Sequence, residues 1–147
     1  MKKHKFKSIK DRDSYLDWLE MHAKWLLSCA HLTNYALVRI KSFDGSSENA
    51  MEIDVDHKYL NFCLKYNPEW AAEYWYKKDY EELLSVLAHE IAHIITCEAD
   101  DKLVFISSGK ERSYYFERVT EVTSRWLYHL YRESFMEKYD IKLAPKK

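Results

Sequence analysis

Glycine and proline are scarce in this 147-residue chain, two of each, and no biased repeat replaces them. With 47% hydrophobic and 32% charged residues, that excludes collagen-like and disordered classes and leaves an ordinary globular body. Net charge is lacking too: 23 basic residues stand against 24 acidic ones, so no overall field attracts nucleic acid or an anionic membrane. No apolar run reaches the roughly 18 to 20 residues that span a bilayer. Only three cysteines are present, Cys29, Cys63 and Cys97, with no CxxC pair for a zinc ribbon or a redox dithiol. Lys2, Lys3, Lys5, Lys7 and Lys10 crowd the start, yet no apolar stretch of the secretion-signal kind follows them. Reduced thiols and a cytoplasmic location are therefore expected. The length suits one domain, 1–147, with residues 1–11 and 140–147 expected as flexible tails.

What is present is a succession of periodicities. From Asp13 the apolar residues Tyr15, Leu16, Trp18, Leu19, Trp25 and Leu26 follow helical spacing and predict a first helix ending near Ala30. Tyr35, Leu37, Val38 and Ile40 form a strand-like run, and Asp44-Gly45-Ser46-Ser47 carries the turn chemistry of a hairpin. The return strand is residues 50–55, where Met51, Ile53 and Val55 alternate with Glu52, Asp54 and Asp56. A further extended segment, residues 59–66, sets Leu60, Phe62 and Leu64 against Asn61, Cys63 and Lys65. Asn67-Pro68 ends it and opens a short helix through Trp75. Asp79 and Glu82 have the spacing of a helix cap, predicting a helix to about Cys97, with residues 98–107 as a loop. Ser108 and Glu111 repeat that spacing ahead of a final long helix. The expected fold is α+β: a small, mainly antiparallel three-stranded sheet packed with helices, in the order α-β-β-β-α-α.

Residues 83–95 are apolar nearly all round except for Ser85 and three ionisable residues, His89, Glu90 and His93. Unpaired polar groups in an apolar setting cost roughly 1 to 3 kcal/mol each, and a shared metal ion relieves them. His89 and His93 stand one turn apart on one helical face, so both imidazoles can reach a single cation. Glu90 lies about 100° around the helix, beside the cation rather than on it, where its carboxylate can take a proton from water. One Zn2+ per chain is expected, because zinc lowers the pKa of bound water to about 7 and polarises a carbonyl. Two histidines leave such an ion short of three protein ligands. Phe116-Glu117-Arg118-Val119-Thr120-Glu121 offers two carboxylates one turn apart, and by spacing Glu117 is a candidate third ligand. Glu121 in that role, a merely solvated glutamate pair, and Asp100 or Asp101 remain open as alternatives.

His89-Glu90-Ile91-Ala92-His93 is an HExxH motif, and its frame, LLSVLAHEIAHIIT, resembles the active-site helix of zincin-type zinc metallopeptidases. The element order is similar to compact single-domain zincins, the SprT-like and phage-encoded metallopeptidases, although no SprT-type zinc ribbon is present. The positions that metzincins fill with glycine and a further ligand hold Thr96 and Ala99, so the gluzincin-like arrangement is the one that fits. The resemblance implies an endopeptidase with Glu90 as general base and a zinc ion on His89, His93 and Glu117. Gluzincins commonly carry an acidic residue four places after the ligand glutamate that orients a zinc-bound histidine, and Glu121 matches that place. The resemblance also implies that residues 59–66 form the edge strand along the cleft, with Tyr59, Asn61, Cys63 and Lys65 as its substrate-side residues. Tyr114 or Tyr115, just ahead of Glu117, is a candidate hydrogen-bond donor to the oxyanion.

Two other functions stay open: a non-catalytic zinc-stabilised module that grips a peptide, and a hydrolase of non-peptide amides. The expected partner is a protein or peptide substrate, with no nucleic acid and no membrane. His4, His22, His31, His57 and His129 are isolated and read as ordinary surface or core histidines. The aromatic run between Trp70 and Tyr80 reads as core or cleft lining.

Overall fold

Ser8 sets where the first helix begins. Its hydroxyl accepts the Asp11 N–H at 3.0 Å, and α1 runs Ile9–Cys29 in the computed structural model, which describes residues 5–43, 48–103 and 109–145. Apolar periodicity alone places that start too late, at Asp13, because the cap is a hydroxyl and not part of the apolar stripe. Tyr15, Trp18, Leu19, Ala23 and Leu26 face the core from α1. The ends expected as tails both make contacts. The Lys7 N–H donates to the Tyr76 hydroxyl, which donates to Asp11, each at 2.7 Å, and the Trp18 indole donates to the Leu143 carbonyl at 2.7 Å.

Three strands follow, β1 (Ala36–Ser42), β2 (Met51–Asp56) and β3 (Asn61–Tyr66), in the spatial order β1-β3-β2. β3 pairs with β1 in parallel and with β2 antiparallel, so the sheet is mixed. The hairpin expected between β1 and β2 does not form, because β3 lies between them; its turn residues, 44–47, lie outside the described residues. The local hairpin is β2–β3 instead. Asp56 closes its turn by accepting the N–H groups of Lys58 and Tyr59 at 3.0 and 3.2 Å. β3 takes the centre because Phe62, Leu64 and Tyr66 are all buried on one face, whereas β1 is largely exposed.

That placement corrects the edge-strand expectation. Asn61, Cys63 and Lys65 sit in a ladder paired on both sides, and Tyr59 is exposed in the turn. The edge strands are β1 and β2, and β2 is the one that packs beside α3. The Asn67 N–H donates to the Ala50 carbonyl at 2.9 Å, and β2 and β3 continue in the same antiparallel register. Alternation then directs the main-chain groups of Glu52, Asp54 and Asp56 toward β3 and those of Met51, Ile53 and Val55 outward. Among the described residues no strand pairs with that outer edge.

Asn67 caps α2 (Pro68–Lys77) by accepting the N–H groups of Glu69 and Trp70, with Pro68 in the first turn where it needs no donor. Asp79 caps α3 (Tyr80–Leu103) by accepting the Glu82 N–H at 3.2 Å, as its spacing predicts. α3 does not stop at Cys97: residues 98–103, expected as a loop, continue it, and they contain no glycine or proline to break it. Ser108, half of the second expected cap, lies outside the described residues. α4 (Gly109–Leu130) passes through a π-helical turn, Tyr131–Phe135, into α5 (Met136–Lys138). Contacts from Glu81 to Arg132, His89 to Glu121 and Thr96 to Thr120 show α4 packed antiparallel on α3. The result is α+β, three strands packed with helices, and no helix among the described residues is long and apolar enough to cross a membrane.

His22 is fully buried with its Nδ1 2.7 Å from the Tyr131 hydroxyl. Burial, aided by the Arg132 charge, lowers its pKa from 6.5 to about 4. Between those values the unfolded chain binds a proton that the folded chain refuses, so stability falls as pH falls through that window. The loss is on the order of 3 kcal/mol for this one group. Urea unfolding of the parent and of His22→Gln between pH 7 and 4 is expected to show a shallower acid slope in the variant, whatever its absolute stability; equal slopes would rule the assignment out.

Candidate metal centre

Leu83, Leu84, Leu87, Ala88, Ile91 and Ile94 bury one side of α3 in the core. The 3.6-residue period then leaves His89 and His93 on a half-buried stripe that faces α4, with ring centroids 5.0 Å apart and planes at 84°. Glu117 reaches back from α4. Its Oε2 lies 3.6 Å from His89 Nε2 and its Oε1 3.9 Å from His93 Nε2. One ligand atom from each of the three residues falls within 4.8 Å of the others. Zinc with bonds of 2.0–2.1 Å holds tetrahedral ligand atoms roughly 3.4 Å apart, so modest side-chain rotation suffices. Two imidazoles and a carboxylate are a donor set that a zinc ion accepts, so these residues could hold one.

Glu121 is positioned differently. Its Oε2 lies 3.2 Å from His89 Nδ1, and its Oε1 accepts from Arg125 Nε at 3.1 Å. A carboxylate that accepts the Nδ1 proton leaves the Nε2 lone pair directed toward Glu117 and His93, the orientation a metal ligand needs. Glu117 and Glu121 thus differ in position, one facing both distal ring nitrogens and the other lying beside His89 Nδ1.

Glu90 is only 7% exposed, yet it lines a cleft of about 550 Å3 and has no hydrogen-bond partner among the described residues. Burial, then the Glu117 and Glu52 carboxylates, push its pKa from 4.5 up to about 8. A divalent cation on the neighbouring ligands opposes both causes and draws the value back down. Opposite Glu90 the wall is the open edge of β2, with Met51, Glu52, Ile53 and Val55. A second hollow of about 430 Å3 continues past His89 and is bounded by Ser85, Arg125, Tyr128 and His129.

Several residues singled out in the sequence lie elsewhere. Tyr114 and Tyr115 are 63% and 56% exposed, with rings 5.7 Å apart, and neither lines the cleft, so the oxyanion role expected of them has no geometry behind it. The side chains of Asp100 and Asp101 lie outside the described residues. His22 and His57 pair with Tyr131 and Tyr35, and His129 with Glu133, as ordinary core and surface histidines do. Trp75 is buried, and Trp70, Tyr74, Tyr76 and Tyr80 pack partly buried against the core. Among the lining residues that the sequence did not single out, two are ionisable, Cys97 and Glu52. Cys97 follows His93 by the same four-residue step that joins His89 to His93, a signal that was available; Glu52 depends on which strand takes the edge, and local pattern does not carry that. The chain matches no protein-family model, and neither a search of curated proteins nor one of solved structures gives a match.

Proposed function

We propose that this protein is a zinc-dependent metallopeptidase that cleaves peptide bonds in a protein or peptide substrate. The observation that carries the reading is a juxtaposition. A buried carboxylate without a hydrogen-bond partner, Glu90, stands between a three-residue donor set and the outward-facing edge of β2. In this reading His89, His93 and Glu117 hold zinc, and Glu121 fixes His89 through Nδ1. Zinc supplies, when bound, a Lewis acid that polarises a carbonyl and makes water acidic near neutral pH. Glu90 accepts the proton of the attacking water and returns it to the leaving amine, a two-way role served by a carboxyl whose proton affinity burial has raised. The N–H and C=O groups of Ile53 pair with an extended main chain, which grips peptides of varied sequence. A cytoplasmic setting belongs to the same proposal, on the strength of three cysteines with no paired spacing.

The test is a mixed peptide library incubated with the zinc-loaded chain and read by mass spectrometry. New amino termini are expected, lost with a chelator and restored by added zinc. An intact library in the presence of stoichiometric zinc would overturn the peptidase reading, and peptide retention without cleavage would make the protein a binding module.

A further inference from the structure

Charge along the cleft is one-sided. Glu52, Glu90 and Glu117 line it, and no lysine or arginine does among the described residues. Glu117 faces the two histidines, whereas Glu52 belongs to the β2 wall of the cleft. Asn49 donates its side-chain amide to Glu52 Oε1 at 2.8 Å, which steadies the carboxylate and leaves Oε2 for another donor. The nearest cross-strand cation, Lys65 opposite Glu52 on β3, gives its ammonium to Asp54 at 2.7 Å and feels the Glu52 charge only as a lesser effect. A second observation points to a ligand independently of this pairing. Glu90, more than nine-tenths buried and without a hydrogen-bond partner among the described residues, faces into the same cleft.

An extended peptide along the open edge of β2 sets its side chains about 4.5 to 5.5 Å from those of β2, alternately on either face of the sheet. Glu52 shares its face with Asp54 and Asp56, so a residue lying there meets carboxylates and, among the described residues of the sheet, one lysine already paired with Asp54. A basic side chain is favoured at that position, a neutral one is tolerated, and an acidic one is repelled.

We propose that Glu52 is a specificity-determining residue, selecting peptides that carry lysine or arginine where the bound chain passes β2. The inference rests on the peptidase reading above, and it concerns which peptides bind rather than how they are cut.

The probe is a series of alanine-glycine octapeptides with one guest position walked along the chain and filled by Lys, Arg, Gln or Glu. Cleavage by the zinc-loaded protein is measured beside equilibrium binding to Glu90→Gln, which needs no turnover. At one guest position Lys and Arg are expected to exceed Gln by roughly three- to tenfold in both kcat/KM and affinity, the range of a partly exposed ion pair and its hydrogen bond. Glu52→Gln, which keeps the size and can still accept from Asn49, is expected to erase that preference; Glu52→Lys is expected to turn it toward Glu. Cleavage without a basic preference, or with one that Glu52→Gln leaves untouched, overturns the inference while the peptidase reading stands. Basic-selective binding that depends on Glu52 but brings no cleavage does the reverse. Absence of both binding and cleavage removes both.

Discussion

Glu90→Gln is expected to lower kcat for peptide cleavage by about 10² to 10⁴-fold, the usual contribution of a positioned general base. The variant keeps both imidazoles, and its amide has nearly the same volume as the carboxylate, so stoichiometric zinc and an unchanged fold are expected alongside. Two measurements are needed together: zinc content of the purified variant, and turnover of a peptide that the parent cleaves. Retention of more than a few per cent of activity would exclude Glu90 as the base. A third readout follows from burial. In the metal-free parent Glu90 holds its proton up to about pH 8, against 4.5 as the ordinary value, so its burial destabilises the fold progressively as pH rises between those values. Glu90→Gln removes that penalty, and the metal-free variant is expected to be the more stable protein at neutral pH.

The second large effect concerns zinc affinity. His89→Ala and His93→Ala each remove a nitrogen from a three-donor set, and each is expected to weaken zinc binding by more than about 100-fold. Glu117→Ala is expected to do the same, because its two oxygens lie 3.6 and 3.9 Å from the two ring nitrogens. Glu121→Ala is expected to cost less, about 10- to 100-fold, because it acts through the far side of the His89 ring. Competition against a calibrated chelator gives all four constants on one scale. A loss at Glu121 larger than at Glu117 would exchange their roles, and negligible losses at both would place the third ligand elsewhere.

How much of this was legible in the sequence differs from residue to residue. His89 and His93 stand on one face because four residues make about one helical turn, and that relation is local. The reach of Glu117 and Glu121 toward them needs only that α4 turns back along α3, which the intervening length permits. The α+β class followed from strands gathered between helices. Strand neighbours did not follow. Alternation in residues 61–66 announces a strand with one buried face, but it is silent on what lies to either side. The turn-forming residues 44–47 signalled a reversal, and a reversal does not require that the strands on either side of it touch. The end of α3 failed for a different reason: Cys97 marks the last apolar position of the stripe, whereas the helix itself persists on residues of adequate propensity.

The β1-β3-β2 order also dictates how the sheet can assemble. Pairing Asp56 with Asn61 closes a separation of five residues (61 − 56), whereas pairing Ala36 with Asn61 spans 25 (61 − 36). Loop closure makes the longer step costlier by roughly 1.4 kcal/mol, about tenfold in rate before any contact rewards it. The β2–β3 hairpin therefore nucleates the sheet, and β1 is recruited afterwards in parallel. Substitutions in β1 are accordingly expected to speed unfolding more than they slow folding, which the two arms of a denaturant chevron would read. The β2 wall of the cleft is likewise expected to pair before the far edge strand joins the sheet.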